Sequence, residues 1–164
     1  MVDLRVKAYG AAAAVFALDR LTKWIIESHV SFSETYPVIP GFFDIIHSEN
    51  RGVAFGFFND STSEWRTTLL VVLSLAAVVV VSVLLWNAQR LDRFSLWGFV
   101  LILGGAAGNV FDRMLWGSVT DFLLFHAGDY QWPTFNMADS AIVIGSLLLL
   151  IDLLRPKRQA EHVP

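Results

Sequence analysis

Four long apolar runs divide this chain, with polar or turn-rich sequence between them. They cover residues 8–26, 67–86, 95–116 and 137–154. Thr67 to Trp86 carries no charge over twenty residues, long enough to cross the roughly 30 Å hydrocarbon layer of a bilayer. Ser61-Thr62-Ser63-Glu64 has the capping-box pattern that opens such a helix. From Ser31 to Asp60 the helical pattern stops. Pro37 and Pro40 bracket short β-prone pieces, and Asn50 and Gly52 form a turn between strand-like residues, which predicts a small hairpin or curled sheet. Gly117 to Asn136 reads as a second non-helical loop. The pattern therefore predicts an all-α membrane protein of four transmembrane helices in a single domain, 1–164, with loops at 27–66 and 117–136.

Composition agrees with a membrane protein. Hydrophobic residues make up 55% and charged residues 16%, beyond ordinary globular usage. The net charge of -3 suggests no nucleic-acid partner. Cysteine is absent, which excludes disulfides, cysteine nucleophiles and thiolate metal sites. Arg5 and Lys7 ahead of an apolar run imitate a signal peptide, but the small residues Ala11 to Ala14 stand early in that run instead of following it, so a retained helix is expected. Arg5, Lys7, Arg90, Arg93, Arg155, Lys157 and Arg158 fall on one side of the four-span arrangement, against Arg51 and Arg66 on the other. Both termini are then expected in the cytoplasm, with the two long loops outside.

The polar residues of the spans gather under those outer loops. Asp112 is roughly 25 Å along the third helix at about 1.5 Å per residue, Asp139 begins the fourth, and Asp121 follows Trp116 closely enough to fold back to their level. Asn109, Asp112 and Arg113 are three and four apart and share a helical face. Asp19 and Lys23 are four apart and can pair. Two carboxylates brought together share one proton, so one can activate water while the other donates. No HExxH spacing appears, His29, His47 and His126 read as isolated surface residues, and Ser140 has no evident Lys or His partner. Bland readings stand beside this one. Asp139 could serve the positive end of the fourth helix, Asn136 could cap it, Asp121 could be a solvated loop residue, and Asp19 with Lys23 could be a structural pair. A proton- or cation-coupled carrier could use the same acids, although carrier sites usually lie near the midplane between repeats. A non-catalytic membrane scaffold would leave the acid cluster unexplained.

The motifs together resemble those of the bacterial lipoprotein signal peptidases (signal peptidase II). The likeness rests on Asp19 and Lys23, on Asn50-Arg51-Gly52-Val53-Ala54-Phe55, on Gly108-Asn109-Val110-Phe111-Asp112-Arg113, on Val119-Thr120-Asp121-Phe122, and on Phe135-Asn136-Met137-Ala138-Asp139. Arg20 stands where this family more often has Gln. The resemblance implies an intramembrane aspartyl endopeptidase of the bacterial inner membrane that removes signal peptides from prolipoproteins, cutting before a diacylglyceryl-modified cysteine. It implies Asp121 and Asp139 as the catalytic pair. Asn50, Gly52, Asn109, Asp112, Arg113 and Asn136 would bind substrate or orient the pair, with Asp19 and Lys23 in support. It further implies a β-cradle on the membrane between helices 1 and 2, contact with membrane lipids, inhibition by the cyclic peptide globomycin, and no metal or cofactor.

Overall fold

The computed structural model describes residues 3–52 and 64–155. Four helices, α1 (Leu4–His29), α2 (Glu64–Trp86), α3 (Arg93–Trp116) and α4 (Met137–Leu154), are joined by a small antiparallel sheet of β1 (Thr35–Ile39), β2 (Phe43–Asn50), β3 (Val119–Ala127) and β4 (Tyr130–Gln131). The proposed capping residues Ser61 to Ser63, the Val53-to-Phe58 run and residues 156–158 lie outside the described residues. Among the described residues, three helices are long and apolar enough to cross a membrane: α3, α4 and residues Thr68–Trp86 of α2. α1 has 26 residues, but Asp19, Arg20, Lys23 and Glu27 break its apolar face. The reason for that break lies in its packing, because Asp19 and Lys23 are both fully buried.

α3 is the central helix, packed against α1, α2 and α4. Its glycines let the neighbours approach. A Cβ on Gly104 would lie 2.6 Å from the Ala12 carbonyl oxygen of α1, and one on Gly105 would lie 2.5 Å from the Ala138 carbonyl oxygen of α4. Gly108 faces Asp19, whose carboxylate occupies the space a side chain would need. At the other end of the bundle, Ala8, Ala12, Val81, Leu85, Ala88, Val100 and Leu103 form the apolar core between α1, α2 and α3. Tyr9 donates its hydroxyl to the Ser82 carbonyl (2.7 Å), tying α1 to α2. Much of α2 and α4 is exposed leucine, isoleucine and valine, among them Val72, Leu73, Val83, Ile144 and Leu147. Such a surface suits hydrocarbon and would be a liability in water.

The sheet corrects the expectation that residues 27–66 alone supply the β structure. Its order is β1-β2-β3-β4, so half of it comes from the 117–136 segment. Val119 to Phe122 are all buried, which hides the period-two pattern of a one-sided strand. Gly117 ends α3 in the left-handed region (φ 72°), its N–H bonded to the Arg113 carbonyl, and releases the chain into β3.

β2 and β3 pair as Phe43↔Phe125 through Ile45↔Leu123, then as Ser48↔Asp121 through Asn50↔Val119. The sums of paired numbers rise from 168 to 169 between these stretches, so a bulge adds one residue to β2. A one-residue slip exchanges the two faces of a strand. With the bulge, Asn50 lies on the face of Asp121; without it, Glu49 would.

The packing yields a stability prediction. Gly108→Ala should lower thermal stability by about 1–3 kcal/mol by pushing into the Asp19 carboxylate. Gly10→Ala on α1, where nothing lies within 4 Å, should leave stability unchanged or slightly raised. Unfolding of the two variants in the same detergent tests the contrast, and equal midpoints would contradict it.

Candidate active site

Beneath the sheet, at the Trp116 end of α3, buried polar side chains from α1, α3, β3 and α4 converge. The Lys23 ammonium lies 2.8 Å from Asp19 Oδ2 and 2.7 Å from Asp112 Oδ2, and donates to Asn109 Oδ1 at 2.9 Å. Asp112 also pairs with Arg20 (2.5 Å). Asp19 reaches across to α4, where its Oδ1 accepts the Ala138 N–H at 2.9 Å. That N–H belongs to the first turn of α4, whose amides have no partner within the helix. α4 is therefore capped from two sides, by Asp19 of α1 and by its own Asn136, which accepts the Asp139 N–H at 2.9 Å.

The two carboxylates sit directly on this base. Asp139 Oδ1 accepts Asn109 Nδ2–H (2.7 Å). Asp121 is engaged at both oxygens, by Asn136 Nδ2–H on Oδ1 (2.7 Å) and by Asn50 Nδ2–H on Oδ2 (3.0 Å). Each amide is held in one orientation by a donor at its own oxygen. Lys23 fixes Asn109, the Asp139 N–H fixes Asn136, and the Gly52 N–H (2.9 Å) fixes Asn50. The NH₂ ends can then only face the carboxylates.

The backbone sets the spacing. Phe122 and Leu123 donate to the Phe135 carbonyl, and the Phe135 N–H returns to the Leu123 carbonyl. The Asp121 segment and the Asn136–Asp139 segment are thereby clamped side by side. Asp121 is 1% exposed. Burial, then the nearby Asp139 charge, push its carboxyl up from the ordinary 3.8 to about 7, against the lowering effect of the Asn50 and Asn136 hydrogen bonds.

Of the residues expected at the site, Asn50, Asn109, Asn136, Asp121 and Asp139 form one connected network. Gly52 joins through its backbone: its carbonyl accepts Arg113 Nη2–H at 2.8 Å. Asp112 turns toward α1 and meets Lys23 and Arg20, one layer below the carboxylates. The Asp19–Lys23 pair is present as expected, with its larger task being the base of the site. His29 is exposed as expected, whereas His47 and His126 are half-buried: His47 Nδ1–H bonds to the Val30 carbonyl (2.8 Å), and His126 lies 3.0 Å from Asp44. Ser140 donates its hydroxyl to the Asn136 carbonyl. Among the described residues, no group of three or more His, Asp and Glu is arranged to hold a metal ion. Sequence reasoning gave Arg20 little weight, met Thr120 only as part of the Val119–Phe122 motif, and missed Glu27, which accepts the Thr120 hydroxyl at 2.7 Å. Their 93-residue separation leaves no local signal.

Comparison with known proteins decides the family. The model of "Signal peptidase (SPase) II" matches residues 11–155. The chain belongs to the signal peptidase II family. It is 72% identical over 163 residues to a "Lipoprotein signal peptidase" of Solibacter usitatus, covering 99% of each chain. It is 42% identical to another so named from Nitratidesulfovibrio vulgaris, covering 89% of this chain and 88% of that one. Among solved structures, one described as "Bacterial membrane enzyme structure by the in meso method at 2.3 A resolution" superposes with a TM-score of 0.83 at 28% identity, covering 96% and 94%. A second, at 1.9 Å, gives 0.79 at 30% identity. In this member of the signal peptidase II family, the polar layer beneath the sheet contains buried charge whose balance can be tested.

Removing Lys23 would strand Asp19 and Asp112 without their shared cation. Lys23→Met should therefore cost about 3–5 kcal/mol, read as a fall in the unfolding midpoint in detergent. An unchanged midpoint would show that the ammonium does not hold these helices together.

Proposed function

We propose that this chain removes signal peptides from prolipoproteins as an aspartyl endopeptidase, with Asp121 and Asp139 as its catalytic pair. Membership of the signal peptidase II family supports the protease activity and the class of substrate. The observation that carries the mechanism is the convergence of two carboxylates under three oriented amides, with Asp139 acting on the titration of Asp121. One proton is shared by the pair. The ionised member takes a proton from water as its oxygen attacks the scissile carbonyl carbon, and the protonated member gives its proton to the carbonyl oxygen. Collapse of the resulting gem-diol breaks the C–N bond, and the amine leaves with a proton from the pair. Neither a nucleophilic side chain nor a metal is required.

In this reading all 164 residues form one integral-membrane domain with four spans, and α1 is the fourth span despite its charges. Of those charges Asp19 and Lys23 are fully buried and Arg20 largely so, as ionisable residues in a bilayer require. Both termini are cytoplasmic, and the pair lies at the outer face of the bacterial inner membrane. The substrate's signal helix and its diacylglyceryl-modified cysteine already lie in the bilayer, so the bond before that cysteine arrives at the depth of the pair. Asn50, Asn109 and Asn136 orient the carboxylates. Arg113 ties Gly52 over the site, Asp112 braces Lys23, and Asp19 and Lys23 form the support. Phe42, Phe125, Tyr130, Trp132 and Phe135 line an apolar groove on the sheet, which suits contact with membrane lipid. Globomycin is expected to inhibit.

The test is cleavage of a diacylglyceryl-modified prolipoprotein by the purified protein beside the same substrate without lipid. The lipidated form alone should be cut. Asp121→Asn and Asp139→Asn should each reduce turnover by about 10³-fold or more while inserting normally. Substantial turnover by either folded variant would end the assignment.

A pH profile checks the shared proton. With Asp121 near 7, kcat/KM should fall as pH rises through about 7, because the pair loses its proton donor. Asn50→Ala removes a hydrogen bond that favours the ionised form, so that limb should move to higher pH. Folding stability carried by Asp121 has the matching sign: it is greatest below the ordinary 3.8 and is lost as pH climbs toward 7. A limb that Asn50→Ala moves downward would contradict the electrostatics.

A further inference from the structure

Arg20 of α1 faces both Asp112 and Glu27. Its Nη1 is 2.5 Å from Asp112 Oδ1, and its Nη2 is 3.6 Å from Glu27 Oε2. Glu27 Oε1 in turn accepts the Thr120 hydroxyl at 2.7 Å, and Thr120 is the residue before Asp121 on β3. On the other side Asp112 meets Lys23, Lys23 meets Asn109, and Asn109 holds Asp139. The guanidinium carbon lies 4.7 Å from the Trp116 ring centroid and 5.5 Å from that of Phe111, within cation–π range of both rings. These ring contacts, together with the Asp112 pair, restrict where the guanidinium fork can point.

We infer that Arg20 is a positioning residue for both carboxylates, linking Asp139 through Asp112, Lys23 and Asn109 to Asp121 through Glu27 and Thr120. The inference rests on the aspartyl reading above. Charge gives Arg20 a second effect. Asp19, Asp112 and Lys23 alone would leave one net negative charge beneath the pair, and Arg20 cancels it. Losing that positive charge makes the surroundings of the pair more negative and holds its shared proton more tightly. The charged groups that bear on this balance are Asp19, Lys23 and Glu27 on α1, Asp112 and Arg113 on α3, and the pair itself. Beyond Glu27, a cavity of about 420 Å³ brings in His47 and Glu49 of β2 and the following Arg51.

The experiment is the pH profile of kcat/KM on lipidated substrate for wild type, Arg20→Gln, Glu27→Gln and Thr120→Val. Arg20→Gln should move the alkaline limb to higher pH by about half a unit to one unit and lower kcat several-fold. Glu27→Gln removes a negative charge while keeping an acceptor for Thr120, so the limb should move the other way, by less because Glu27 is partly exposed. Thr120→Val should lower kcat without moving the limb. His47→Gln, which removes an imidazole lining that cavity, should leave the wild-type limb in place. Opposite shifts are not expected from mere loosening of the fold. A limb unmoved in Arg20→Gln, or moved in the same direction in both charge variants, would overturn the inference. If Arg20→Gln does not fold, Glu27→Gln decides, and a limb at or above the wild-type position overturns it. Wild type that cleaves without need of Asp121 and Asp139 would instead refute the underlying aspartyl reading.

Discussion

A buried ammonium can only donate, and this constraint sets the direction of the polar groups above it. Lys23 is fully buried between Asp19, Asp112 and Asn109. Its donation fixes the oxygen of Asn109, which turns the amide N–H toward Asp139. The first turn of α4 repeats the device with a backbone N–H in place of the ammonium, and the turn after β2 repeats it with that of Gly52. Three amides therefore present N–H groups to two carboxylates, and none is free to flip. Preorganised donors of this kind do not need to reorganise as charge moves during reaction.

The fold serves this arrangement through close packing. α3 can stand between α1 and α4 because glycines face both neighbours. Gly108 in particular leaves room for the Asp19 carboxylate, which lies between α3 and the first turn of α4. The same residue thus permits helix contact and completes a helix cap. The sheet contributes register. The bulge in β2 brings Asn50, a donor, to Asp121 where an unbulged strand would bring Glu49, an acid. A third carboxylate there would oppose ionisation of the pair and supply no donor to it.

Much of this was legible in the sequence. The boundaries of α4, the Asp19–Lys23 pair and the Asn136 cap follow from periodicity, i,i+4 spacing and helix-end chemistry. Asp121 and Asp139 stood out because acids beside long apolar runs need a reason. The β3 strand was hidden by its apolar residues being buried without alternation, so a loop was expected where half of the sheet lies. The bulge, the Arg20–Asp112 pair and the Glu27–Thr120 bond join residues far apart in the chain. Such contacts are created by the fold and have no local pattern to announce them. Asp112 illustrates the limit: helical spacing grouped it with Asn109 and Arg113, but its partners are on α1.

The proposed mechanism requires two carboxylates to share a single proton at working pH. Infrared difference spectroscopy of the purified protein across pH 4 to 9 counts protonated carboxyl groups directly, with Asp121→Asn and Asp139→Asn identifying the source of the signal. One buried carboxyl proton is expected at pH 6, lost near pH 7. In Asp139→Asn, relieved of its like-charged neighbour, Asp121 should lose its proton at lower pH. Full ionisation of both groups at pH 6, or a signal that neither substitution alters, would contradict the mechanism.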